Sequence, residues 1–181
     1  MEDHQGKKIH GFRIPSLLEV QKCLYTHFNS HLLHPARTAY RDIQTLAGYD
    51  EDATLSIDLL LSLPTCNGRI GSTGMCLGGH LAYRCALDPR VSAAVTYFAT
   101  DLHSATLGLG KKDDSLARAG EIKGELAMIH GCKDNHVPPE GRDLIRKTLR
   151  EKGITFSWYE VAWAQRESAF ITLVHKQRWE Y

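Results

Sequence analysis

The chain has 181 residues, 43% hydrophobic and 24% charged, with a formal net charge of +1. That length provides one domain with a substantial core and not comfortably two, and acids and bases mixed along it exclude a nucleic-acid or polyanion binder as a class. No apolar run approaches the length that crosses a bilayer, the opening MEDHQGKKIHGF lacks an apolar signal core, and the five cysteines (Cys23, Cys66, Cys76, Cys85, Cys132) are odd in number and without framework spacing, so a cytoplasmic chain with reduced thiols, no membrane partner and no nucleic-acid partner is expected.

Residues 1–48 read as a helical segment: PSLLEVQKCLYTHFNSHLL has amphipathic spacing, and PARTAYRDIQTLAGY reads as a turn and short helix. Asp50 is placed to cap a helix through DATLSIDLLLSL, stopped at Pro64, with Leu55, Leu59 and Leu63 as its apolar stripe. A short buried strand follows at 69–73 and a helix at 77–87, closed by Asp88-Pro89. A second strand is read at 91–98, a polar loop over roughly 100–123, and a third strand at 125–130. Pro138-Pro139 open a helix that stops at Gly153, and a fourth strand spans 154–161. Strands joined by helical crossovers predict an α/β fold: a mostly parallel sheet with helices on its faces.

The chemistry concentrates in GMCLGG, Gly74–Gly79, at the junction of the first strand and the helix after it. A strand-to-helix turn of this kind is sharp, so small residues, here Gly74 and Gly78, must flank the central one. Its side chain then stands above the strand ends, where open α/β sheets place their ligands. A helix N-terminus favours a thiolate there, and the N–H of Leu77 is available to a developing oxyanion. The plainer alternative is that the glycines permit close packing and Cys76 is a small apolar residue. Asp134, in GCKDNHVP, ends the third strand at the same sheet edge, as a candidate acid or a turn residue.

The stretch GSTGMCLGGHLAYRCALDPRVSAAVTYF resembles the elbow region of the dienelactone hydrolase family, whose members have the α/β-hydrolase fold and a Cys-Asp-His triad. IKGELAMIHGCKDNHVPPEGRDLI resembles that family's acid-bearing segment, and YDEDATLSIDLLLSLP its helix before the elbow. The match runs over about residues 49–161. It implies Cys76 as nucleophile, Asp134 as acid, a partial hydrolase domain over 49–181, and small lactones or carboxylic esters as substrates, without metal or organic cofactor. It covers a central portion of the fold, with the early strands and the final helix unmatched.

The base is the irregular member. The family's His-Ala-Phe after the last strand is best matched by Ser168-Ala169-Phe170, and a serine cannot exchange protons with a thiol near neutral pH. His175 is the remaining candidate base, seven positions on. Of the other histidines, His80 is expected to pack, His136 lies too close to Asp134, and His103 reads as a solvated loop residue. Two further readings stay open: a catalytically impaired relative acting by binding, and a metal site on Cys23, His27, His31 and His34, whose spacing puts ligand types along one helix face. GLGKKDDS lacks the spacing of a phosphate-binding loop.

Overall fold

The computed structural model describes residues 44–165. The proposed metal cluster at Cys23, His27, His31 and His34, the Ser168 position and His175 lie outside the described residues, as does nearly all of the N-terminal segment. In chain order the elements are α1 (Leu46–Ser62), β1 (Ile70–Met75), α2 (Leu77–Cys85), β2 (Val91–Tyr97), a 3-10 turn (Ala119–Glu121), β3 (Glu125–Gly131), α3 (Pro139–Glu151) and β4 (Phe156–Val161). The strands form one sheet in the order β1-β2-β3-β4, and every neighbouring pair is parallel. The α/β reading of the sequence holds.

Parallel register fixes which side chains share a face. Gly74, Thr96, Met128 and Trp158 stand in one row, and Ser72, Ala94, Leu126 and Phe156 in the next. From these rows Ala94, Leu126, Met128, Phe156 and Trp158 meet Ile57 and Leu60 of α1, Tyr83 of α2 with Ala86 and Leu87 just after it, and Ile145 and Leu149 of α3 in one hydrophobic cluster. The opposite face carries the exposed Ala93 and Tyr159 and the half-buried Val95 and Ala127.

Two sequence expectations for α1 need correction. The helix begins at Leu46, because Thr45 caps it by accepting the Gly48 N–H at 3.0 Å. Asp50 lies inside the helix and binds Arg84 instead. The boundary read at residue 48 therefore falls within α1. The expected stripe of Leu55, Leu59 and Leu63 is exposed, at 58%, 60% and 38%, while Tyr49, Ile57 and Leu60 are buried. Leucines four apart make a stripe on any helix, but α1 turns toward the sheet the face on which Tyr49 and Ile57 also lie.

Candidate active site

The site is built from loops at the C-terminal ends of the four strands. β1 delivers Cys76, which has φ 58° and ψ −122° and directly precedes α2. A non-glycine residue in that region is strained and persists only when its surroundings hold it. Here they do. The Cys76 N–H donates to the Tyr97 carbonyl at 3.0 Å, and the Cys76 carbonyl accepts from the N–H groups of His80 (3.2 Å) and Thr100 (3.3 Å). The half-buried cysteine packs beside Met75, Tyr97, Phe98, Val161 and Ala164.

The crowding that demands glycine falls on Gly74 and Gly79. A Cβ on Gly74 would lie 2.1 Å from the Gly78 carbonyl oxygen, and one on Gly79 would lie 2.8 Å from the Tyr97 oxygen. A Cβ on Gly78 would meet nothing within 4 Å, so that glycine matters through its backbone, which passes under Gly74. Gly79, third in the run, was not singled out from the sequence because its constraint comes from β2.

β3 leads to Asp134, the candidate acid. Asp134 is 3% exposed; its Oδ1 accepts the His136 N–H at 2.8 Å, and its buried Oδ2 has no hydrogen-bond partner among the described residues. The loop is pinned at both ends by Arg142 of α3, whose Nη1 donates to the carbonyls of Val137 (2.8 Å) and Gly131 (3.4 Å). The chain leaving β4 comes to the same place. Lys133 N–H donates to the Ala164 carbonyl at 3.0 Å, and a Cβ on Gly131 would strike that oxygen at 2.4 Å. Cys76 and the Asp134 loop thus both meet the chain that leaves β4 at Ala164.

The four described histidines fall into distinct settings. His80 is fully buried with both ring nitrogens engaged, which agrees with its expected packing role and adds a polar one. His136 is exposed. His130 is fully buried and stacked on Trp158 at 4.7 Å, and neither ring nitrogen is hydrogen-bonded among the described residues. Burial first, and then the Arg142 charge, push it down to about 4, so it is neutral at pH 7. His103 departs from its solvated reading. It is half-buried, its Nδ1 is sealed without a partner, and its ring abuts Gly141. Burial lowers its pKa, while Asp101 and Asp134 pull the other way.

Among the described residues no disulfide joins Cys66, Cys76, Cys85 or Cys132. Burial, then Asp50 and Asp88, push Cys85 up to about 12, and burial with Glu160 raises Cys132, so both favour the neutral thiol. Among the described residues no group of His, Cys, Asp and Glu could hold a metal ion, and no helix is long and apolar enough to cross a membrane.

Comparison with known proteins gives these features a context. The model of the dienelactone hydrolase family matches residues 33–167, a wider span than the sequence motifs marked out. A Saccharomyces cerevisiae protein carrying the provisional name carboxymethylenebutenolidase is 54% identical over 136 residues, 73% of this chain and 49% of its own length. Carboxymethylenebutenolidase 1 of Cupriavidus pinatubonensis is 30% identical over 70% of this chain and 50% of its own. The chain spans about half the length of these curated relatives. Among solved structures, acetyl xylan esterase 1 from Thermoanaerobacterium superposes with a TM-score of 0.55 at 19% identity, covering 70% of this chain and 50% of that one. A dienelactone hydrolase-like promiscuous phosphotriesterase from metagenomic libraries gives 0.54 at 18%, covering 67% and 47%. At these identities the two structures speak for the α/β-hydrolase-like fold.

Proposed function

The chain belongs to the dienelactone hydrolase family, and from that premise we propose that it hydrolyses small lactones or carboxylic esters with Cys76 as nucleophile. The Cys76 sulfur attacks the substrate carbonyl and its proton passes to a histidine base. The tetrahedral oxyanion is met by the Leu77 N–H at the start of α2. Collapse breaks the C–O bond, the leaving alkoxide takes the proton from the base, and water then hydrolyses the thioester. Asp134 orients the base and stabilises its charged form. None of these steps draws on a metal or organic cofactor. Reduced cysteines and a cytoplasmic setting go with this chemistry.

The observation that carries the reading is the Asp134 Oδ2: a buried carboxylate oxygen without a partner among the described residues, at the sheet edge where the elbow ends. An unmet buried acceptor is costly unless a donor comes to it. His175 is the candidate donor and base, with Ser168 at the family's own position. That serine favours a second reading, a relative in which catalysis is impaired and binding remains. Hydrolysis of a chromogenic aryl ester and a γ-lactone by wild type, Cys76→Ala, Asp134→Asn and His175→Ala decides between them. Activity in the wild type that falls at least about 100-fold in the first two variants is expected. Loss in His175→Ala as well identifies the base, and an inert wild type leaves the binding reading.

A further inference from the structure

Four residues after Cys76, His80 is held on both sides of its ring. Nδ1 lies 2.7 Å from the Thr100 carbonyl oxygen; Nε2 lies 3.0 Å from Ser115 Oγ and 3.1 Å from Asp113 Oδ2. Thr100 is the residue whose N–H holds the Cys76 carbonyl. A closed circuit results: Cys76 carbonyl to Thr100 N–H, Thr100 carbonyl to the His80 ring, His80 N–H back to the Cys76 carbonyl. His80, Thr100 and Ser115 are all buried, His80 completely. The ring is sealed from any substrate, so the Ser-His-Asp contact is not a second catalytic centre.

Nδ1 thus faces a carbonyl oxygen, and Nε2 faces a carboxylate oxygen and a hydroxyl. The Asp113 Oδ2 has no partner but that Nε2. Asp113 Oδ1 accepts from the Ser115 N–H (2.9 Å), the Ser115 hydroxyl and Arg84 Nη1 (3.3 Å). Arg84 also binds Asp114 at 2.7 Å and both oxygens of Asp50, at 2.8 and 2.7 Å. Arg118 closes the cluster against Asp50 at 3.3 Å, and Glu121 against Arg118 at 2.8 Å. Opposite charges thus face one another, and the Asp113 carboxylate is tied to α2 and its own loop, and through Arg84 to Asp50 of α1. Burial works against its charge, but His80 and Ser115 outweigh that and hold its pKa below the usual carboxylate range.

We infer that His80 is a positioning residue for the nucleophile elbow: with Asp113 fixing its ring, it holds Thr100 where Thr100 fixes the strained Cys76 backbone, and so sets where the thiol points. The inference rests on the reading of Cys76 as nucleophile. A histidine that merely fills core space would affect stability alone. A positioning histidine affects the reactivity of one thiol, and the Nδ1 donor is the part that matters. An Asn side chain can present a donor near the Nδ1 position, whereas Gln places its amide nearer Nε2.

The test is per-cysteine alkylation by iodoacetamide, read by mass spectrometry with Cys66 as internal reference, together with kcat and KM on an aryl ester, for wild type, His80→Leu, His80→Gln and His80→Asn. His80→Leu and His80→Gln are expected to slow Cys76 relative to Cys66 by about tenfold or more, and to lower kcat similarly with KM within about twofold. His80→Asn is expected to recover most of both. If His80→Leu does not fold, the Gln and Asn pair carries the test. Equal behaviour of these two, or wild-type Cys76 reactivity in both, overturns the positioning role while leaving the nucleophile reading intact. A wild-type Cys76 that alkylates no faster than Cys66, in a protein without esterase activity, sinks both.

Discussion

His130 offers a quantitative check on how the site is buried. Its imidazole is fully buried and stacked on Trp158 of β4, and neither nitrogen has a partner among the described residues. Burial, then Arg142, push it down to about 4 from an ordinary 6.5, with Glu160 acting in the opposite direction and His103 adding to the depression. Between those two pH values the unfolded chain binds a proton that the folded chain refuses. The stability present above pH 6.5 is therefore lost progressively as pH falls toward 4. At roughly 1.4 kcal/mol per pH unit, the full loss is about 3 kcal/mol. His130→Leu removes the titrating group and strands no partner, since none is bonded; it forfeits the Trp158 stack, about 0.5–1.5 kcal/mol. Urea unfolding of both proteins, followed by tryptophan fluorescence at steps from pH 7 to pH 4, measures the difference directly. The other groups titrate in both and largely cancel. The expected result is a variant within about 1.5 kcal/mol of wild type at pH 7 that gains roughly 2–3 kcal/mol on it by pH 4. A wild-type-to-variant difference that stays flat with pH would refute the claim that this ring is dry and neutral.

Two further outcomes follow from the geometry. On α1, Leu60→Ala should cost about 2–4 kcal/mol by urea unfolding, whereas Leu59→Lys, one residue away on the exposed face, should change stability by less than about 0.5 kcal/mol; the reverse order would restore the stripe read from the sequence. At the elbow, Gly79→Ala drives a Cβ against the Tyr97 carbonyl and should cost about 1–3 kcal/mol and most of the Cys76 reactivity. Gly78→Ala has open space and should fold at least as stably as wild type in thermal melts, since alanine favours helix by up to about 1 kcal/mol.

The order of elements, the parallel sheet, the sharp strand-to-helix turn at Cys76 and the loop carrying Asp134 were all legible in the linear chain. Each is written in short-range terms: runs of strand length, Pro and Gly as stops, a cysteine between glycines where a strand meets a helix. Tertiary structure alone decided the rest. Tyr49 and Ile57 are as compatible with a buried stripe as Leu55 and Leu59; only the sheet beside α1 selects between the two faces. GLGKKDDS is a polar loop by composition, yet its Asp113 lies against a histidine 33 positions earlier in the chain. Nothing local to either residue encodes that pairing. The constraint on Gly79 comes from a carbonyl of another strand, and the Asp134 Oδ2, without a partner among the described residues, is an unmet acceptor only because burial closes off water. Periodicity and turn chemistry act within a few residues, so a sequence states them openly. Burial and partnership depend on what the fold brings alongside, and here that decides which side chains surround the thiol and which hold it in place.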